Sequence, residues 1–411
     1  MNLIERIRGA WAMLAGAEAK ATPYTMRTWP TGHPQYTAHN YRNYVQEGYA
    51  KSTLVYACIR EIAESAAEPR WIVMDGDEPV ESGNGLQTLL DAPNPHFSGF
   101  ELVELTLIYL GIEGNAFWFK ERSARGRVVA LWPMRPDLVG IVPSKDGDLL
   151  GYTYRVGGER IAWLPEDVIH FRYPNPLDDL QGLGRGLAPL AVAAREVDVD
   201  NAATDFLKQF FENAAVPFGI LKSKQQLVES EVRRIRARLR EQYTGSRNWH
   251  QLMILDADAD YQRTGLDMSE MAFPDLRSIS ESRICMTYGV PPILVGAKVG
   301  LDRSTFSNYA EARASFWMET LAPTYRRLQG KINIGLASEF GLRVELDLSS
   351  VAALQEDRNA LFDRAREAVE GGWGTVNDAR REVGWEPVAG GDVFLRPMMV
   401  VEMPAAPAKA R

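Results

Sequence analysis

Cysteine is nearly absent. The 411 residues hold two, Cys58 and Cys285, each inside an apolar stretch that reads as helical. This suggests neither a disulfide framework nor a thiolate metal site, and suits a chain made in a reducing, cytosolic compartment. Histidine is scarce too: His33, His39, His96, His170 and His250 stand alone, with no second ligand at metal-binding spacing. His170, in "DVIHFR", reads as a core or turn residue. No stretch reaches the ~20 apolar residues that a membrane span requires. A basic surplus is missing as well. Lys and Arg number 46 against 54 Asp and Glu, a formal net charge of −8, the wrong sign for a protein that coats DNA by displacing its counterions. Gly-x-Ser-x-Gly, Ser-x-x-Lys and zinc-protease patterns do not occur. No catalytic residue, cofactor or metal is therefore assigned.

What is present is an ordinary globular composition, 45% hydrophobic, in a chain long enough for two or more domains. Leu3, Ile7, Trp11 and Leu14 share one face of a helix, which favours a docking helix over a secretory signal. Residues 20–50, rich in Tyr, Thr, Asn and Pro, read as an extended arm that needs a partner surface. Val55, Ile59, Ile62 and Ala66 then mark a helix that stops at Pro69. Strands follow at "RWIVM", "NAFWFKER", "VVALWPM", "LVGIV", "YTYRV" and "DVIHFRY", with a helix around "FELVELTLIYLGIEG". A long helix starts at Pro189, and its stripe is read as Val192, Val199, Ala203, Phe206 and Phe210, with Glu196, Asp198, Asp200, Asp205 and Glu212 on other faces. Residues 215–266 read as a small insertion of strand "VPFGIL", helix "SEVRRIRARLREQY" and strand "HQLMIL", before a helix resumes at "FPDLRSISESRICMTYG".

After the turn "GVPPILVG" comes a loop with Lys298 and Arg303, and then a helix with Ala310, Ala314, Trp317, Leu321, Tyr325, Leu328, Ile332 and Leu336 on one side. Asn308 and Glu311 suit a capping box, and Pro323 is expected to kink the helix. At roughly 33 residues it would span about 50 Å. A helical pair, "EDRNALFDRAREAVE" and "TVNDARREVG", joined by "GGWG", closes the ordered part.

Several motifs have a plain alternative. "GLGRG", Gly182 to Gly186, lacks the Lys-Ser or Lys-Thr of a phosphate loop and reads as a tight turn. "DADAD", Asp256 to Asp260, has Tyr261 where a calcium loop needs Gly, and reads as a solvated acidic turn. Arg233, Arg234, Arg236, Arg238 and Arg240 lie on one helix, open to a solvated face, a protein partner or nucleic acid. The last helical pair mixes Asp378 and Glu382 with Arg380 and Arg381, so packing is preferred to base reading.

Taken in order, "GYAKSTLVYACIREIAESAAEPRW", "LLDAPNPHFSGFELVE", "GNAFWFKER", "LWPMRPDLVGIV", "DVIHFRYPNPLDDLQGLGRGLAPL", "YGVPPILVGAKVGLDRSTFSNYAEA" and "GTVNDARREVGWEPVAGGD" resemble the portal protein family of long-tailed double-stranded DNA bacteriophages. The resemblance runs from about Gly48 to Val400. It implies an α+β portal fold without enzymatic activity, membrane or cofactor, in a ring of about twelve subunits at one capsid vertex. It also implies a division of the chain: an N-terminal helix and arm (1–47), a mixed α/β wing (48–187), a first stem helix (188–214), a small α/β clip (215–266), a second stem helix (267–289), a tunnel loop (290–307), a long kinked helix (308–340), and a helical crown with a disordered tail (341–411). The implied partners are the major capsid protein, the terminase large subunit, a head-tail adaptor and passing double-stranded DNA. Lys298, Val299, Gly300, Leu301, Asp302 and Arg303 would form the tunnel loop at the DNA. Arg233, Arg234, Arg236, Arg238 and Arg240 would be the clip surface for partners, and Pro323 the helix kink. The implied location is the virion, with assembly in host cytoplasm. The alternatives are an enzyme with an unrecognised site and a DNA-binding module.

Overall fold

Two alternating faces of one strand organise the described core. In the computed structural model, the strand Asn115–Arg122 turns Trp118 toward a cluster of helices, while Phe117 faces a second sheet. Successive strand side chains point to opposite faces, so both can be apolar only when both faces are covered. The structure describes residues 36–80, 83–144, 148–178, 180, 182–212, 219–223, 229, 230, 233, 234, 237, 259–263, 273–301, 306–348, 351 and 358–395. All but Tyr36 lie in the unit Thr37–Arg411.

The first described helix, Tyr41–Asn43, is capped by the Asn40 side chain and continues as a π-helical turn, Tyr44–Tyr49. An extended arm was expected here. The surface that orders it belongs to the same chain: Thr37 donates twice to the Asp198 carboxylate, at 2.8 and 2.7 Å, and Asn201 donates to the Glu47 carbonyl at 2.8 Å. Helix α1, Thr53–Ala67, buries Val55, Ile59, Ile62 and Ala66 as its periodicity predicts. Strands β1, Trp71–Asp75, and β2, Glu78–Pro79, and helix α2, Gly85–Asp91, follow. Helix α3, Gly99–Glu113, opens on a Ser98/Glu101 capping box and ends at Gly114 with φ +74.

β3 is the Asn115–Arg122 strand and pairs antiparallel with both β4, Val128–Met134, and β8, Val168–Arg172. β5, Val139–Pro143, β6, Leu149–Val156, and β7, Glu159–Trp163, form the second sheet. Between the two sheets pack Phe117, Met134, Val139, Tyr152 and Val168. On the helical side Trp118 donates from its indole nitrogen to Thr106 at 2.7 Å, and Thr106 donates to the Leu102 carbonyl, so no polar atom of this buried pair is stranded. His170 is buried and neutral, its pKa held well below the usual imidazole range by burial and then by Arg172. Its Nε2 lies 3.0 Å from Asn115 Oδ1, which also accepts from the Gly186 amide. The "GLGRG" segment is thus a turn fastened to β3: its Gly184 amide donates to Asp178, and Arg185 reaches the Glu113 carboxylate and the Pro136 carbonyl.

Helix α4, Pro189–Glu212, starts at the expected proline but buries a different face. Leu190, Ala193, Val197 and Asn201 are buried, whereas Val192 and Val199 are 59% and 49% exposed. Of the stripe read from sequence, Val192, Val199 and Phe206 lie on the outer side. Strands β9, Gly219–Ser223, and β10, Ala259–Arg263, form an antiparallel pair. Ala259 and Asp260 therefore sit in a strand rather than in an acidic turn, while the expected strand "HQLMIL" lies outside the described residues. Helix α5 is Phe273–Tyr288.

Candidate functional site

The segment that leaves α5 is built by glycine and proline. Gly289 takes φ +66, in the left-handed region, and the Val290 amide donates to the Cys285 carbonyl at 3.0 Å to close the helix end. Pro291 and Pro292 start a turn in which the Leu294 amide donates to Pro291 and the Ala297 amide to Pro292, both at 3.0 Å. A single helical turn, α6, Lys298–Leu301, then returns the chain over this turn. Gly300 is held so close that a Cβ there would stand 2.3 Å from Ile293 N. The expected loop 290–307 is therefore largely structured: it contains α6, and its last two residues already belong to the next helix.

Of the sequence-predicted loop residues, Lys298, Val299 and Leu301 are exposed and Gly300 is half-buried. Asp302 and Arg303 lie outside the described residues. The Lys298 amide donates to Glu281 on α5 at 3.2 Å, which ties the helical turn to the helix before it. The exposed tip combines one ammonium with two aliphatic side chains.

The long helix begins as α7, Phe306–Phe316. Asn308 is thus inside its first turn and cannot be the N-cap. The helix widens into a π-helical turn, Trp317–Leu321, and resumes as α8, Ala322–Gly335, with Pro323 in its first turn. At Pro323, where a kink is expected, the helix carries a π turn just before the proline: proline supplies no backbone donor and crowds the carbonyl four residues earlier, and the widened turn accommodates both defects. A 3₁₀ turn, Ala337–Phe340, follows, and then β11, Arg343–Leu346, which pairs antiparallel with β1. From Trp317 to Leu336 the predicted apolar stripe is buried, while Ala310 is exposed. Thr320, in the π turn, donates to the Gly289 carbonyl at 2.5 Å. Arg313 pairs with Glu61 of α1 at 2.8 Å, and Tyr325 donates to the Ser65 carbonyl at 3.2 Å. The segment is anchored at both ends to the same core.

The helix pair α4 and α5 faces itself through charge. Arg283 meets Glu196 at 2.7 Å and Arg277 meets Asp200 at 3.4 Å. With Asp198 engaged by Thr37 and Asp205 near Lys51 at 3.4 Å, four carboxylates expected on open faces are occupied within the chain. On the outer side, Val192 and Val199 of α4 and Ile279 and Met286 of α5 remain exposed, each pair seven residues apart. This spacing keeps them on one side of each helix.

In the insertion, Arg233 and Arg234 are helical and exposed, and Arg233 lies 3.7 Å from Glu229. Arg236, Arg238 and Arg240 lie outside the described residues. At the C-terminal side, helices α9, Arg358–Glu370, and α10, Val376–Glu382, pack together. Asp378 completes a capping box with Thr375. Among the described residues no group of three or more His, Cys, Asp or Glu is placed to hold a metal, and no helix is long and apolar enough to cross a membrane.

A family model described as "Phage portal protein" matches residues 53–384. The portal protein of Enterobacteria phage HK97 is 26% identical over 330 residues, covering 78% of this chain and 74% of that protein. Among solved structures, a chain in the virion of a native gene transfer agent particle is 26% identical with a TM-score of 0.63, over 94% of this chain and all of that one. A chain in the neck of a native particle of the same kind, computed with C12 symmetry, is 27% identical with a TM-score of 0.63, over 87% and 96% of the two chains.

Proposed function

The chain belongs to the phage portal protein family, a structural family, and we propose that twelve copies form a ring at one vertex of a virion, the channel through which double-stranded DNA enters and leaves. The observation that carries the ring is the likeness, over nearly the whole chain, to a component of a neck with C12 symmetry. The exposed Val192, Val199, Ile279 and Met286 support it, because apolar rows on paired helices are what a neighbouring copy would cover. On this reading 48–187 is the wing, 188–214 and 267–289 are the stem, 215–266 is the clip, 290–307 is the tunnel loop carried by the long helix 308–340, and 341–411 is the crown and tail. The wing meets the major capsid protein. The clip meets the terminase large subunit during packaging and a head-tail adaptor afterwards, with the basic helix that includes Arg233 and Arg234 as its contact. Assembly takes place in host cytoplasm.

DNA passes without sequence readout. Lys298 and Arg303, repeated around the ring, touch phosphates weakly, while the excess of acidic residues over the chain keeps the duplex from being held. Purified protein examined by native mass spectrometry and negative-stain imaging is expected to give closed rings; a persistent monomer or dimer overturns the reading. The Lys298→Ala/Arg303→Ala double variant is expected to form rings yet lower the DNA content of particles. Wild-type DNA content rejects the phosphate contact.

A further inference from the structure

The only two cysteines of the chain touch. Cys58 on α1 and Cys285 on α5, separated by 227 positions, have their sulfurs 4.0 Å apart and are 0% and 1% exposed. A buried residue touches 6–12 others, so two cysteines placed at random among 411 positions would meet in about 2% of cases. Contact alone would still be packing. A second observation gives it chemistry: a cavity of about 380 Å³ between α5, the Pro291–Pro292 turn and the π turn is lined by Cys285, Met286, Pro292, Phe316 and Glu319, and Cys58 is not among its walls. Cys285 thus lies between the cavity and Cys58.

We propose that Cys285 and Cys58 form a reactive dithiol, in which a small disulfide such as oxidised glutathione enters the cavity, reacts at Cys285, and is resolved by Cys58 into a Cys58–Cys285 disulfide. The Cys285 thiolate attacks one sulfur of the small disulfide, whose S–S bond breaks; one thiolate leaves and takes up a proton. Cys58 then loses its proton, attacks Cys285 Sγ, and expels the second thiolate. Two protein thiols are oxidised and one small disulfide is reduced to two thiols. The cavity fixes the order, because Cys285 lines it and Cys58 does not. The contact with Cys285 and burial raise the Cys58 thiol, which keeps it protonated until the first step is complete. The product would staple α1 to α5 four residues before Gly289, the root of the Pro291–Pro292 turn. The chemistry does not depend on the ring. Disulfides are sustained outside reducing cytosol, so in a released particle the bond would persist.

The test uses purified full-length protein incubated with oxidised glutathione and read by intact-mass spectrometry. The wild type is expected to lose two hydrogens in mass and both titratable thiols, with a melting midpoint raised by several degrees and restored by dithiothreitol. Cys58→Ser is expected to retain one glutathionyl group on Cys285, acquired about ten-fold faster than any adduct on Cys58 in Cys285→Ser. Cys58→Ala replaces the serine variant should the hydroxyl disturb the core. Two thiols that stay free in the folded wild type and react only after unfolding overturn the proposal, as does an adduct that forms equally fast on either cysteine. The wild-type measurement needs no variant to fold.

Discussion

Leu190→Ala and Val192→Ala, made separately, distinguish the two faces of α4. Leu190 is 1% exposed, and its methyl groups fill the space over Gly48, where a Cβ would come within 2.7 Å of Leu190 Cδ2. Truncation removes three carbons from a face whose other buried apolar members, Ala193 and Val197, are too small to swing into the gap. The transfer and cavity contributions together then cost about 3 kcal/mol. Val192 is 59% exposed, and in the separated subunit its truncation changes stability by no more than about 0.5 kcal/mol. Urea unfolding of dissociated subunits, followed by circular dichroism at unchanged slope, reads both values. Equal costs, or a larger one for Val192, would refute the assignment of the buried face. In the ring the order is expected to reverse for a charge: Val192→Asp should unfold near the wild-type midpoint as a subunit but give fewer closed rings, because it places a carboxylate in the apolar row.

Two further outcomes follow from single side chains. Burial raises the Glu113 carboxyl from 4.5 to about 6, with Arg185 opposing and Asp137 adding. The folded state therefore holds a proton that the unfolded chain has released, so this group's contribution falls by about 2 kcal/mol as pH rises from 4.5 to 6. Glu113→Gln should remove that step from a pH–stability curve, and an unaltered curve would count against it. Gly300→Ala puts a Cβ 2.3 Å from Ile293 N and 2.6 Å from its Cα, so α6 must lift from the turn beneath it. The Gly300 and Leu301 amides, which donate to the Ala297 carbonyl, should then exchange about ten-fold faster with the global midpoint nearly unchanged. Unchanged protection would show that the contact is not what holds the turn.

Local periodicity made much of the element order legible. "NAFWFKER" and "VVALWPM" are strands over the residues expected, Val55, Ile59, Ile62 and Ala66 line the buried side of α1, and Pro189 opens α4. The cue in each case lies within a few residues: alternation for a strand, a three-to-four spacing for a helix, a proline that tolerates only a first turn. The ordered set of stretches likewise carried the family. The candidate loop was legible as glycine, proline and Lys298, but its shape was not. Gly300 is required by an approach to Ile293, and Gly289 is held by Thr320, thirty-one positions away.

Choices between equivalent local patterns belonged to the tertiary structure. α4 offers two apolar rows, and only the packing of α3, α5 and the Tyr44–Tyr49 turn decides that Leu190, Ala193 and Val197 go inside. β11 was not read as a strand at all, because four residues of "RVEL" become one by pairing with β1 some 270 positions earlier. Pro323 announced a defect in the long helix, and the folded chain meets it with a π turn. Cys58 and Cys285 looked like two unrelated core residues until α1 and α5 were packed together. Sequence determines what a segment can become through interactions a few residues long. Which face is buried, and which distant residues meet, depends on contacts whose partners are hundreds of positions apart, and those exist only in the folded chain.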